Sequence, residues 1–135
     1  MTILVFGKTG QVARELQALG NVTCLSRDEA DLSEPESCAE AIRKHSPIGV
    51  INAAAYTAVD RAEDETTVAA RVNGWAPAAM AKACAEMDLP FVHISTDYVF
   101  DGSGSEPWNP GHLTNPKNAY GLSKLIGENA VRDAG

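Results

Sequence analysis

The chain has little of what a secreted, membrane-spanning or nucleic-acid-binding protein needs. Its 135 residues include only three cysteines. Cys24, Cys38 and Cys84 are odd in number and far apart, with no CxxC pair and no histidine at zinc spacing. A disulfide framework and a structural zinc site are both excluded on that ground, and a reducing compartment is expected. No apolar run approaches the roughly 20 residues that cross a bilayer, and Met1-Thr2 before the first apolar segment lacks the basic start of a signal peptide. Positive charge is scarce: 11 Lys plus Arg against 18 Asp plus Glu leave a net charge of −7. No basic stripe exists to displace counterions, so neither nucleic acid nor a membrane surface is an expected partner. An anionic ligand must be held at a local site, and the expected location is the cytoplasm.

What is present is the material of one ordinary core, 44% hydrophobic and 21% charged. The length predicts a single domain, residues 1–135. Ile3 to Phe6 is a short, wholly apolar run without alternation, the pattern of a strand buried on both faces of a parallel sheet. Val12, Leu16 and Leu19 then follow helical spacing up to Gly20, and Val22 to Leu25 is a second strand. Ser33-Glu34-Pro35-Glu36 reads as a capping box opening a helix that buries Cys38, Ala41 and Ile42 and ends at Pro47. Gly49 to Asn52 is the next strand. A long alanine-rich helix is expected from about Asp60 to Met87, with Ala62, Ala69, Val72, Ala76, Met80, Ala83 and Met87 inward and a weak spot or kink at Asn73-Gly74. Phe91 to Ser95 reads as another buried strand, 101–118 as one long functional loop, and Tyr120 to about Asp133 as the final helix. The alternation predicts an α/β fold, a doubly wound parallel sheet of the Rossmann type. Its last helix should cross back to a further strand, so the chain is expected to be the N-terminal part of a longer protein, without a C-terminal substrate half.

Four segments carry chemistry. Gly7-Lys8-Thr9-Gly10-Gln11-Val12-Ala13 lies between the first strand and the first helix, where free backbone N–H groups and glycines admit a pyrophosphate. A P-loop would need a glycine where Thr2 stands and is rejected. Ser26-Arg27, at the end of the second strand, replaces the acid that usually meets a free ribose 2′-hydroxyl, which suits the 2′-phosphate of NADPH over NADH. Tyr120 and Lys124 share one helix face at i and i+4. A phenol ordinarily ionises near pH 10, and a lysine cation one turn away favours the phenolate, making a usable proton donor. Leu122, Leu125 and Ile126 are the expected buried face of that helix. Ser95 and Thr96 close a strand with hydroxyls on the side where open α/β sheets bind ligands, and His45, His93 and His112 are expected to be structural or solvated.

These segments, with Asn52 to Glu63, Ser95 to Phe100 and Pro116 to Lys124, resemble the extended short-chain dehydrogenase/reductase family, and within it the reductases of dTDP-4-dehydrorhamnose. The resemblance covers the whole chain. It implies that Gly7, Gly10, Gln11 and Val12 meet the pyrophosphate, that Asp31 and Leu32 lie near the adenine with Arg27 at the ribose, and that Ala55, Tyr56 and Thr57 line the cofactor path. It makes Thr96, Tyr120 and Lys124 the catalytic set, with Thr96 and Asp97 touching substrate, and Tyr120 and Lys124 also touching the nicotinamide ribose. The implied reaction is reduction of the C4 keto group of dTDP-4-dehydro-L-rhamnose, a dTDP-4-keto-6-deoxy sugar, to dTDP-L-rhamnose by NADPH, with NADH as a second reductant. A homodimer and Mg²⁺ come with the family, and Glu15 is the one residue offered for the metal. Ala13 departs from the usual third glycine, and Pro110 and His112 stand where the family carries acids. Without the substrate half, the fragment is expected to bind cofactor poorly and turn over little. Two other functions fit the same residues: another nucleotide-sugar epimerase or dehydratase, and a non-catalytic subunit resembling the regulatory chain of methionine adenosyltransferase.

Overall fold

The structure is a computed structural model and describes residues 1–135. The chain runs β1 (Ile3–Phe6), α1 (Gln11–Leu19), β2 (Val22–Leu25), α2 (Pro35–His45), β3 (Gly49–Asn52), α3 (Val59–Ala62), α4 (Thr66–Ala70), a π-helical turn (Arg71–Trp75), α5 (Ala76–Glu86), β4 (Phe91–His93), a 3₁₀ turn (Asp97–Val99) and α6 (Ala119–Ala134). All strand pairs are parallel, in the order β2-β1-β3-β4. Phe6 lies beside Leu25 and Asn52, and Asn52 beside His93, so the four strands end together. The chain leaves β1 toward β2 and returns on the other side to β3. That reversal opens a crevice beyond the carboxyl ends of β1 and β3, where ligands of such sheets bind.

One face of the sheet is closed. Leu4, Phe6, Leu25 and Val50 pack with Cys38, Ala39, Ala41 and Ile42 of α2 and with Ala76, Met80, Ala83 and Cys84 of α5 in one buried cluster. Small residues on both helices let them sit close to the strands, and Ile42 and Met80 fill what remains; each is worth about 2–5 kcal/mol against truncation to alanine. The other face carries Val5, Ile51 and Val92 by strand register. Ala13 is fully buried outside the main cluster, whereas Val92 is 55% exposed.

Several expectations change. Ser33 does not cap α2: its hydroxyl and N–H both go to Asp31 Oδ1, and Glu34 takes the cap position without a side-chain bond. The Asp31 carboxylate draws both Ser33 donors back toward itself, and the serine sits one residue before the cap position. The long helix expected over 60–87 is three helices and a π turn, broken at Glu63–Glu65, because the acidic side chains there bond elsewhere. Asn73-Gly74 does mark the irregular place, as part of the π turn rather than a proline kink. The inward positions Ala62, Ala69, Ala76, Met80 and Ala83 are all buried. In α1, by contrast, Val12 and Leu19 are exposed and only Ala13 is buried. The last strand stops at His93 and is half-exposed at the sheet edge. All three cysteines are free, and no helix is long and apolar enough to cross a membrane.

Candidate active site

The Gly7 turn is sewn to both neighbouring strands: its N–H donates to Leu25 O at 3.1 Å, and Ala53 N–H donates to Phe6 O at 2.9 Å. Gly7 has φ +113°, and a Cβ there would press on the Ala53 carbonyl at 3.2 Å, so glycine is required. Gly10 is the N-cap of α1 with no side-chain cap and no acid in the first turn. The first-turn N–H groups therefore face outward without an acceptor, at the positive end of the helix dipole. The groove they face has a volume of about 990 Å³ and is walled by Gly7 to Val12, Leu25 to Asp28, Ala30 to Ser33 and Ala53 to Thr57. Ten of the twelve residues expected to touch the cofactor line it, Gly7, Gly10, Gln11, Val12, Arg27, Asp31, Leu32, Ala55, Tyr56 and Thr57, whereas Tyr120 and Lys124 lie off this wall. Arg61, Glu65, Val68 and Val72 complete the wall. Tyr56 Oη donates to Glu65 Oε2 at 2.7 Å, and Arg61 pairs with the other oxygen at 2.9 Å. The hydrogen bond to Glu65 raises the Tyr56 pKa, and the same bond lowers that of Glu65.

A second set of side chains gathers where β4 ends against the start of α6. Thr96 Oγ1 accepts from Tyr98 N–H at 3.2 Å, which leaves the threonine O–H free to donate. The Tyr98 ring meets Tyr120 edge-on at 5.8 Å, so Thr96 and Tyr120 flank the same residue. Asp97 is exposed on the same turn. Lys124 is buried, not solvated: it is 3% exposed, and its Nζ donates to Ile94 O at 2.6 Å. Burial lowers its pKa to about 8, with the Glu128 carboxylate pulling the other way. The expected division of α6 is thus reversed at two positions, Lys124 inside and Leu122 51% exposed. The carbonyl of Ile94, freed where β4 breaks off, provides the polar partner that lets the cation lie inward.

Asn73, missed in the sequence, joins the two sets. It is 1% exposed in the π turn; Oδ1 accepts from Tyr56 N–H at 2.9 Å, and Nδ2 donates to Tyr56 O at 2.9 Å and to Ser123 Oγ at 3.0 Å. The groove loop is thereby pinned to the turn of α6 between Tyr120 and Lys124. Glu63, in the break before α4, accepts from Ala119 N–H at 2.9 Å, and Asn118 accepts from Gly121 N–H at 2.7 Å, so two carbonyl-type oxygens cap the helix that carries Tyr120. Gly121 and Gly127 permit the packing: a Cβ would overlap the Tyr98 and Asn73 carbonyl oxygens, respectively. A Tyr-Gly pair at a helix start and an Asn-Gly pair in a helical stretch are the signals that could have found these residues. The Asn52 amide links the third strand to the fourth, accepting from Ala54 N–H and donating to His93 Nδ1 at 3.1 Å. His93 Nε2 is buried without a partner; burial first, and then the Lys124 cation, lower its pKa to about 4.

Glu15 stands exposed on α1, and no group of three or more His, Cys, Asp or Glu side chains is placed to hold a metal ion. A smaller hollow of about 370 Å³ lies away from the groove, lined by residues between Ala81 and Phe91 and between Val131 and Gly135.

Fold and groove define a Rossmann-type α/β chain of the short-chain dehydrogenase/reductase class. All of residues 1–135 match the family model described as the RmlD substrate binding domain, and the chain belongs to that family. It is 51% identical over 139 residues to a dTDP-4-dehydrorhamnose reductase of Burkholderia thailandensis, covering 100% of this chain and 47% of that protein. Among solved structures it is similar to a dTDP-4-dehydrorhamnose reductase, an RfbD ortholog of Clostridium acetobutylicum, with TM-score 0.94 and 36% identity, covering 100% of this chain and 50% of the other. The enzyme of that name from Bacillus anthracis, in complex with NADP, superposes with TM-score 0.92 at 30% identity, covering 99% and 50%. The chain spans about half the length of the relatives it matches.

Proposed function

We propose that residues 1–135 are the dinucleotide-binding domain of a reductase acting on the C4 keto group of dTDP-4-dehydro-L-rhamnose, with NADPH as reductant and NADH accepted in its place. The observation that carries this reading is the Asn73 bridge: one buried amide holds the loop lining the groove and the helical turn bearing Tyr120 and Lys124. The groove fits such a cofactor because its pyrophosphate position is a helix start with free N–H groups, lined by a glycine with no room for a side chain. Gly7, Gly10, Gln11 and Val12 would hold the pyrophosphate, Asp31 and Leu32 the adenine, Arg27 the ribose end, and Ala55, Tyr56 and Thr57 the path toward the nicotinamide. The bound cofactor would supply hydride to the sugar C4 carbon. Tyr120 gives its phenolic proton to the oxygen, and the free Thr96 O–H donates a hydrogen bond to that oxygen as charge builds on it. Asp97 lies beside the sugar. The buried Lys124 cation stabilises the phenolate until solvent returns the proton, and its two spare N–H groups serve the nicotinamide ribose.

Within this reading the protein works in the cytoplasm, where its free thiols stay reduced, as a homodimer. No step runs through Mg²⁺. The test is to follow NADPH with the dTDP-4-keto-6-deoxy sugar and the intact native polypeptide. Stoichiometric loss of NADPH with appearance of the 4-hydroxy sugar is expected; product formed without net loss of NADPH would mark an epimerase or dehydratase instead.

A further inference from the structure

Beyond β2, just behind the wall at the ribose end of the groove, stands an acceptor that the sequence pattern does not advertise; Glu29 does not line the groove itself but holds Ser26, which does. Glu29 Oε1 takes a hydrogen bond from Ser26 N–H at 3.1 Å and another from Ser26 Oγ at 3.0 Å. Those are the only two donors Ser26 owns. A 2′-phosphate is recognised by donors and cations, a free 2′-hydroxyl by an acceptor. With both donors committed, Ser26 presents the groove with hydroxyl lone pairs alone.

Arg27 is also engaged, since its Nε lies 3.9 Å from Asp31 Oδ2 while the rest of the side chain is 84% exposed. Lys8 is the other cation on this stretch of wall. Lys8 and Arg27 stand against Asp28, Glu29 and Asp31, an excess of one negative charge. The hydrogen bonds from Ser26, the backbone one foremost, hold the Glu29 carboxyl below the usual carboxylate range, so that charge is present at neutral pH.

We propose that Glu29 sets the cofactor preference of the groove: by withholding the two Ser26 donors and keeping a negative charge beside them, it weakens the hold on a 2′-phosphate and admits the free 2′-hydroxyl of NADH. The inference rests on the dinucleotide reading of the groove and adds a residue to it. Arg27 draws toward the phosphate and Glu29 against it, so neither cofactor is excluded.

The experiment is a pair of dissociation constants, for NADPH and for NADH, measured by nicotinamide fluorescence on the intact native polypeptide and its variants. Glu29→Gln keeps an oxygen for Ser26 and removes the charge; Glu29→Ala also frees both donors. Both should raise the affinity ratio of NADPH over NADH, Ala more than Gln, by about threefold to tenfold, the usual net worth of one hydrogen bond at an exposed site. Arg27→Ala should lower the same ratio. A residue that only shapes the turn would weaken both cofactors alike, so a ratio unmoved or falling in the Glu29 variants overturns this inference alone. A wild-type protein that binds neither cofactor overturns the dinucleotide reading beneath it.

Discussion

The groove beside the Gly7 turn and the ground between the π turn and α6 are built in opposite ways. The helix start in the groove is uncapped, and space stands open at Gly10, where a Cβ would meet nothing within 4 Å. The ground around α6 is filled: Asn73, Ser123 and Lys124 are buried with partners, and Gly121 and Gly127 bring helix and backbone into contact. The first region leaves the N–H groups of its helix start for a ligand, and the second uses its polar groups to fix the helix that carries a tyrosine and a lysine. A proton donor has to be held still, whereas an anion cradle has to stay vacant.

The largest effect should come from filling the second region further. Gly121→Ala puts a methyl group into the Tyr98 carbonyl, so unfolding in denaturant should show a loss of about 3 kcal/mol, the upper part of the usual overpacking range. Asn73→Ala should come next. It leaves the part-buried Tyr56 N–H and C=O without their partner and takes away the bond that the Ser123 hydroxyl accepts, at a cost of about 2–3 kcal/mol. It should also weaken NADPH binding and turnover together, because both anchor points move.

His93 gives a smaller, pH-dependent effect. Its folded pKa of about 4 lies below the ordinary 6.5, so between those values the unfolded chain binds the extra proton. Stability should therefore fall as pH drops from 7 to 5, by about 1–2 kcal/mol more in the wild type than in His93→Gln, read from denaturant midpoints at each pH. Gly10→Ala is the smallest for folding. It should cost under about 0.5 kcal/mol of stability, as a surface change does, while reducing NADPH affinity measurably. If Gly10→Ala destabilised the fold as much as Gly121→Ala, the contrast between the regions would be lost.

The open region was legible in the sequence because its chemistry is local. A glycine turn between an apolar strand and a helix announces an anion site wherever it occurs, and ten of the twelve cofactor residues expected from the chain lie on one wall. The filled region was legible only in its outline. Tyr120 and Lys124 share a helix face as their spacing says, yet Lys124 is buried because a carbonyl 30 residues away meets it. Asn73 acts through partners 17 and 50 residues distant, and Glu63 through one 56 residues distant. No local pattern carries such pairings. The same holds for the edge position of Val92, which depends on strand order, whereas the Ser33 cap is lost to a residue only two positions away.

The central claim is that the phenol of Tyr120 protonates the keto oxygen of the carbon that takes hydride from a cofactor held in the groove. It is tested most directly with NADPH deuterated at the transferable position of nicotinamide C4, dTDP-4-keto-6-deoxy sugar, and the intact native polypeptide beside its Tyr120→Phe variant. The account predicts deuterium at the sugar C4 in the wild type and a rate about 10²–10⁴ lower in the variant, with NADPH affinity retained. Equal rates of label transfer in the two proteins would contradict it.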